Sequence, residues 1–136
     1  MEKEQIVSWV VPWVATGPQP AFLEAAERLG EKLNQGKKEK RLSTSQIRQV
    51  FTRLKAIEAK GYVQQKTDFM MLKPYLAYAA GRQRSVDGLQ LFKEAITIGI
   101  EAVFEAKSIE EEQHRFFNFC KLFEAVLAYH RACGGK

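Results

Sequence analysis

Apolar residues recur at the spacing of an α-helix along almost the whole of this chain. Within residues 43–60, one side of the expected helix collects Ile47, Val50, Phe51, Leu54 and Ile57. A stripe of residues three and four apart predicts an amphipathic helix, whereas strict apolar–polar alternation, which would predict a strand, is nearly absent. We therefore expect an all-α fold, a compact bundle of five to six helices in a single domain over residues 1–136.

Glycine and proline divide this helical pattern into segments. Residues 1–20 read as an N-terminal arm with a short helix that Pro12 bends or ends, and Gly17-Pro18-Gln19-Pro20 breaks the chain. Ser43 and Gln46 have the spacing of a capping box and predict a helix start. The expected segments are a helix at 21–34, a basic loop at 36–42, a helix at 43–60, a helical region at about 63–80 interrupted at Lys73-Pro74, and two longer helices at 85–106 and 108–132.

Positive charge is concentrated in the middle of the chain. Residues 37–84 hold 12 Lys and Arg against 3 Asp and Glu, whereas each flanking part carries a net charge of −2. A basic segment between mildly acidic ends indicates a polyanionic partner, such as nucleic acid bound through its phosphates. The basic residues that we expect to contact phosphates are Lys37, Lys38, Lys40, Arg41, Arg48, Arg53, Lys55, Lys73, Arg82 and Arg84.

Residues that would indicate catalysis or metal binding do not occur in the required patterns. The sequence has no phosphate-binding glycine loop and no metal-ligand spacing. His114 and His130 lie 16 residues apart on one expected helix, about 24 Å, so they cannot share a metal ion. Glu110, Glu111 and Glu112 fit helix capping or solubility better than acid–base catalysis. We expect no enzymatic activity, no metal and no cofactor.

The aromatic residues favour packing in most places. Trp9 and Trp13 lack neighbouring positive charge, so we expect them to pack in this domain or against another subunit. Phe117 lies off the main apolar stripe of its helix, and we place it at an interface. Phe117 and the Trp9/Trp13 arm together lead us to expect that the protein self-associates. Tyr75 and Tyr78 lie among cations, so base stacking and simple burial both remain open.

Two segments resemble the small subunit of type III-A CRISPR effector complexes, the Csm small-subunit family. Residues 42–51, LSTSQIRQVF, are similar to the family's "(T)SQIR" helix start, and residues 72–82, LKPYLAYAAGR, are similar to its "LKPKLAYxAGR" segment. The segments have the family's order and cover about a sixth of the chain. At position 75, where the family commonly has a basic residue, this chain has Tyr75, which weakens the expectation of a phosphate contact there.

The resemblance implies an all-helical protein without nuclease activity, several copies of which stack beside the backbone subunits of the complex. There they help to hold the duplex of guide CRISPR RNA and target RNA. By their positions in the motifs, the resemblance assigns RNA contacts to Gln46, Arg48, Lys73, Tyr78 and Arg82. Its partners would be CRISPR RNA, target RNA and the other subunits of the complex. Separately, the first apolar stretch, residues 6–14, contains Pro12 and is too short to span a bilayer, and the two cysteines suit a reducing compartment, so we expect a cytoplasmic protein with no membrane contact.

Three alternatives remain open from the sequence. The first is the small helical subunit of the related type III-B complex. The second is a helix-turn-helix DNA regulator built from residues 21–34 and 43–60, although the connection between them exceeds the three to four residues typical of that motif. The third is an enzyme, which the absence of convergent titratable residues disfavours.

Overall fold

The structure, a computed structural model, describes residues 1–134 and contains no strand within them. Six helices of 11 or more residues and one of 5 residues confirm the predicted all-α bundle. A 3₁₀ helix, Lys38–Lys40, lies in the basic loop. The α-helices are α1 (Lys3–Thr16), α2 (Pro20–Leu33), α3 (Thr44–Lys60), α4 (Lys66–Met70), α5 (Leu72–Arg82), α6 (Asp87–Phe104) and α7 (Ile109–Ala132).

Helix α1 belongs to the core, and the expected packing of Trp9 and Trp13 within this domain is confirmed. It packs against α6 and α7, and Trp9 and Trp13 are buried with their ring centroids 6.3 Å apart. Pro12 lies inside α1, and the helix continues past it to Thr16. A proline inside a helix costs about 3 kcal/mol. Burial of the following Trp13 and Val14 outweighs this cost, because each large apolar side chain contributes about 1.5–3 kcal/mol.

Helices α2 and α7 pack so closely that only glycine fits at their contact. A Cβ atom at Gly30 would lie 2.8 Å from Tyr129 Cβ and 2.9 Å from the Tyr129 carbonyl carbon. Beside this contact, the Asn34 amide donates to the backbone oxygens of Gly30 (3.1 Å) and His130 (2.9 Å). The end of α2 is therefore fixed to the end of α7, and the basic loop starts from this point.

The other side of the core is aromatic and includes one buried carboxylate. Phe69 of α4 packs edge-on against Phe116 and Phe119 of α7, at centroid distances of 5.0 and 5.2 Å. Glu112 is also buried, where it accepts from the Tyr62 hydroxyl (3.1 Å) and pairs with Lys66 (2.9 Å). The expectation that Glu112 serves as a helix cap or solubilising charge is therefore wrong.

Several element boundaries also differ from the sequence expectation. The interruption expected at Lys73-Pro74 falls at Met71, and Pro74 is the third residue of α5, where a proline in the first helical turn is tolerated. In α2, Leu23 is exposed although it is apolar, whereas Ala25 is buried. Among the described residues, no helix is both long enough and apolar enough to cross a membrane.

We predict that Gly30→Ala destabilises the fold by about 1–3 kcal/mol, because the added methyl group would overlap the α7 backbone. Urea unfolding followed by circular dichroism measures the change. Gly81→Ala in α5 is the matched control, since its added Cβ meets no atom within 4 Å. This control should gain about 0.5–1 kcal/mol from helix propensity. Equal responses of the two variants would contradict the close approach at Gly30.

Candidate nucleic-acid interface

The two sequence motifs line one cleft between α3 and α5. The cleft has a volume of about 280 Å³, and parts of α6 close its floor. None of its lining residues is acidic, and Arg82 is the charged residue among them. The lining residues are Gln46, Gln49 and Val50 from α3, Tyr75, Leu76, Tyr78, Ala79 and Arg82 from α5, Gln83 after α5, and Leu89 and Phe92 from α6.

A capping box fixes the α3 end of this cleft, as its spacing predicted. The Ser43 hydroxyl accepts from the Gln46 backbone N–H at 3.1 Å, and the Gln46 side-chain oxygen accepts from the Ser43 N–H at 3.0 Å. The Gln46 side-chain nitrogen then donates to the Gln83 side-chain oxygen at 3.0 Å. Gln46 therefore joins the start of α3 to the end of α5, and its own amide is already engaged.

The two tyrosines of α5 differ in their surroundings. Tyr75 is partly buried: its hydroxyl donates to Gln49 Oε1 at 2.8 Å, and the Arg53 guanidinium lies 4.1 Å from its ring centroid. Tyr78 is 66% exposed, and the Arg82 guanidinium lies 5.5 Å from its ring centroid. The sequence left open whether either tyrosine is buried. Tyr75 is partly buried, whereas the ring of Tyr78 is exposed at the cleft.

Leu42 anchors the basic loop to the core beside this cleft. Its N–H donates to the Leu33 carbonyl at 3.0 Å, and its own carbonyl lies 2.8 Å from His130 Nε2. Because a carbonyl oxygen only accepts, Nε2 carries the hydrogen. Gly88 of α6 packs against the Leu42 N–H so closely that a Cβ atom there would collide with it. His130, fully buried, is thus a structural residue of the loop, a role that its sequence position did not reveal.

Most of the expected RNA-contacting cations are free of carboxylates. Lys55 pairs with Glu58 (3.1 Å) and Glu124 (3.0 Å), and Lys73 pairs with Glu101 (3.1 Å). The Glu124 and Glu58 hydrogen bonds raise the pKa of Lys55. In residues 1–134, no carboxylate lies within 4.0 Å of the charged groups of Lys37, Lys38, Lys40, Arg41, Arg48, Arg53, Arg82 or Arg84.

Local hydrogen bonds order part of this basic region. Arg41 Nε donates to the Gly36 carbonyl at 2.8 Å and so folds the basic loop on itself. The Thr44 hydroxyl is buried and has no partner among the described residues, whereas Ser45 is exposed. Of these two hydroxyl residues at the start of α3, Ser45 is therefore the one that a phosphate can reach.

Within the described residues, no group of three or more His, Cys, Asp or Glu side chains could hold a metal ion. The Cys120 thiol is buried in the core, and burial raises its pKa, which favours the unreactive thiol form. The connection from α2 to α3 runs from residue 34 to residue 43, too long for the turn of a helix-turn-helix motif.

Two residues of the cleft were not predicted from the sequence. Gln49 and Gln83 are polar residues that charge counting ignores, and Gln83 lies just outside the second motif. Gln83 lies seven residues before Gln90, and this spacing alone does not predict that they interact. In the structure, the Gln90 amide donates to the Gln83 carbonyl at 3.1 Å. Only the approach of α3 to α5 brings these side chains together.

Comparison with known proteins supports the resemblance. A family model described as Csm2 Type III-A matches residues 20–136. That range contains α2 to α7, both motifs and the whole basic segment. Searches of curated proteins and of solved structures found no match.

We predict that Ser43→Ala lowers the free energy of unfolding by about 1 kcal/mol, because it removes the hydroxyl that caps α3. Ser45→Ala is the matched control: this neighbouring serine is exposed and should change stability by less than about 0.5 kcal/mol. Chemical unfolding of both variants gives the comparison. A loss at Ser45 as large as at Ser43 would contradict the capping box.

Proposed function

Since the chain belongs to the Csm2 Type III-A family, we propose that it is a non-catalytic subunit that holds guide and target RNA by their backbones. Family membership makes it a subunit of a type III-A CRISPR effector complex, associated with the other Csm subunits. The finer proposal concerns what it does there. It grips phosphates with the basic segment of residues 37–84 and does not read the base sequence.

The observation that carries this proposal is the set of cations without carboxylate partners around the cleft and the basic loop. A structural ion-pair network would have neutralised them, as it does for Lys55 and Lys73. Free arginine side chains present a planar fork of donors that matches two phosphate oxygens. The eight unpaired cations named above therefore form the main proposed contact set, and Lys55 and Lys73 contribute after exchanging their carboxylate partners.

Gln46 and Tyr78 take different parts in this interface. The Gln46 amide is engaged with Ser43 and Gln83, so its proposed role is to position the start of α3 against α5. Tyr78 is exposed next to Arg82 and contacts RNA directly. The phosphate contacts of the basic segment fix the position of the RNA without specifying its sequence.

The proposed absence of catalysis rests on the sequence patterns and on the family. Metal-dependent cleavage of RNA needs convergent ligands such as carboxylates, and the cleft is lined by amides, tyrosines and an arginine. RNA cleavage by nuclease-free preparations of the purified chain with added Mg²⁺ or Mn²⁺ would contradict this part of the proposal.

We also propose that the chain self-associates, and Phe117 is the residue that supports this. Trp9 and Trp13 are buried in the chain's own core and no longer support it. Phe117 on α7 is 54% exposed, and Lys121 lies 5.3 Å from its ring centroid. An exposed phenylalanine fits a protein interface, because aromatic side chains are enriched there relative to the rest of a protein surface.

We predict that Arg48→Ala and Arg82→Ala each weaken RNA binding roughly tenfold, because each loses a charge-assisted contact to phosphate. Each should also reduce the slope of log K against log salt concentration by about one unit, whatever the RNA sequence. Fluorescence anisotropy with labelled RNAs of unrelated sequence, repeated over several salt concentrations, measures both quantities.

Arg28→Ala is the control for these variants, since Arg28 is an exposed arginine of α2 outside the basic segment. It removes the same charge from the protein and should change affinity and salt slope much less. Unchanged RNA affinity in the Arg48→Ala/Arg82→Ala double variant would count against the proposed contact surface.

We predict that Phe117→Ser shifts the chain toward monomer, because it removes the exposed ring from the proposed self-contact. Sedimentation velocity over a range of protein concentrations measures the distribution. Val63→Ser, at another exposed apolar residue, is the control and should leave the distribution unchanged. A wild-type chain that stays monomeric at high concentration would refute the self-association.

A further inference from the structure

The cleft between α3 and α5 has dimensions and chemistry that phosphate binding alone does not require. Its volume of about 280 Å³ lies just below the roughly 300–1,000 Å³ that small-molecule sites occupy, and a single flat ring needs less space than a whole ligand of that class. Apolar side chains of Val50, Leu76, Leu89 and Phe92 contribute to its walls and floor. A phosphate group would gain nothing from such a surface, whereas a flat ring would bury its faces there.

The polar groups at the edge of the cleft are mostly donors. Gln49 Oε1 accepts from the Tyr75 hydroxyl, and Gln83 Oε1 accepts from the Gln46 amide. Each of these bonds uses the amide oxygen of its glutamine and does not involve the amide nitrogen of the same side chain. The side-chain nitrogens of Gln49 and Gln83 donate to no protein acceptor within residues 1–134, so their N–H groups remain available. Every RNA base carries carbonyl oxygens or ring nitrogens that accept such bonds.

Tyr78 and Arg82 supply the remaining elements that a nucleotide would need. The exposed Tyr78 ring offers a face for stacking, and base–aromatic stacking tolerates all four bases. Arg82 lies beside the ring, within reach of a phosphate of the same nucleotide, and no acidic residue lines the cleft to oppose it. Stacking surface, donors and positive charge therefore converge at one small opening.

We propose that this cleft receives one unpaired RNA base, stacked on Tyr78 and hydrogen-bonded by the amides of Gln49 and Gln83. The inference rests on the proposed RNA-binding function and adds its ligand: a nucleotide turned out of, or lying outside, a duplex. A base inside a duplex cannot enter, because its neighbours cover both faces and its partner covers the pairing edge. The cleft thus distinguishes unpaired from paired RNA, although it does not select a sequence.

The test uses the full chain and a short oligouridylate with one central 2-aminopurine, whose fluorescence responds to stacking. A fully paired duplex of the same length is titrated in parallel by anisotropy. For the single strand, Tyr78→Ala should remove the fluorescence change and weaken binding roughly 5- to 150-fold, the range of one lost stacking contact. Duplex affinity should change less than about twofold. Tyr78→Phe should behave as wild type, and so should Val63→Ala, the control at an exposed residue outside the cleft.

The outcomes separate this inference from the proposed function. If Tyr78→Ala weakens single strand and duplex equally, or leaves the fluorescence change intact, the base-binding cleft is refuted while RNA binding stands. If the wild-type chain binds neither RNA in a salt-sensitive manner, the proposed function itself is refuted. Circular dichroism of each variant verifies that its helices remain folded.

Discussion

The placement of the basic segment depends on the backbone N–H and carbonyl groups of one buried residue, Leu42. Its N–H is bonded to the end of α2, its carbonyl to His130 near the end of α7, and Gly88 at the start of α6 packs against it. Loss of one partner would leave a buried polar group unsatisfied, at a cost of about 1–3 kcal/mol. Since α3 begins two residues later, this junction sets where the basic loop ends and how α3 approaches α5 to form the cleft.

This anchoring lets stability and binding reside in different parts of the molecule. The buried polar or charged side chains of the helices α1, α2, α6 and α7 are few: Asn118, His130 and Glu112, which is paired with Lys66. The cations lie on α3, on α5 and in the loops beside them, mostly without carboxylates. Exposed ion pairs contribute only about 0–1 kcal/mol, so the fold loses little by leaving these side chains unpaired. They remain available for phosphates.

Features governed by neighbouring residues could be predicted from the sequence. The buried stripe of α3, its capping box at Ser43 and the all-α class all follow from spacings within a few residues. Features governed by tertiary contacts could not. Pro12 was expected to bend or end α1, but the helix continues to Thr16, and burial of Trp13 offsets the local penalty. The roles of His130 and Gln83 depend on partners 88 and 37 residues away, respectively, a distance over which periodicity carries no information.

The same division explains why charge predicted only part of the candidate site. Charge counting located the cations, whose effect extends over about a Debye length and needs no exact geometry. Apart from Arg82, the cleft beside them consists of neutral amides, two tyrosines and apolar side chains, which matter only at contact distance. A polyanion would therefore be attracted by the segment as a whole, but discrimination between paired and unpaired RNA would depend on Gln49, Tyr78 and Gln83. Long-range attraction and short-range selection thus act through different residues, so each can be altered without removing the other.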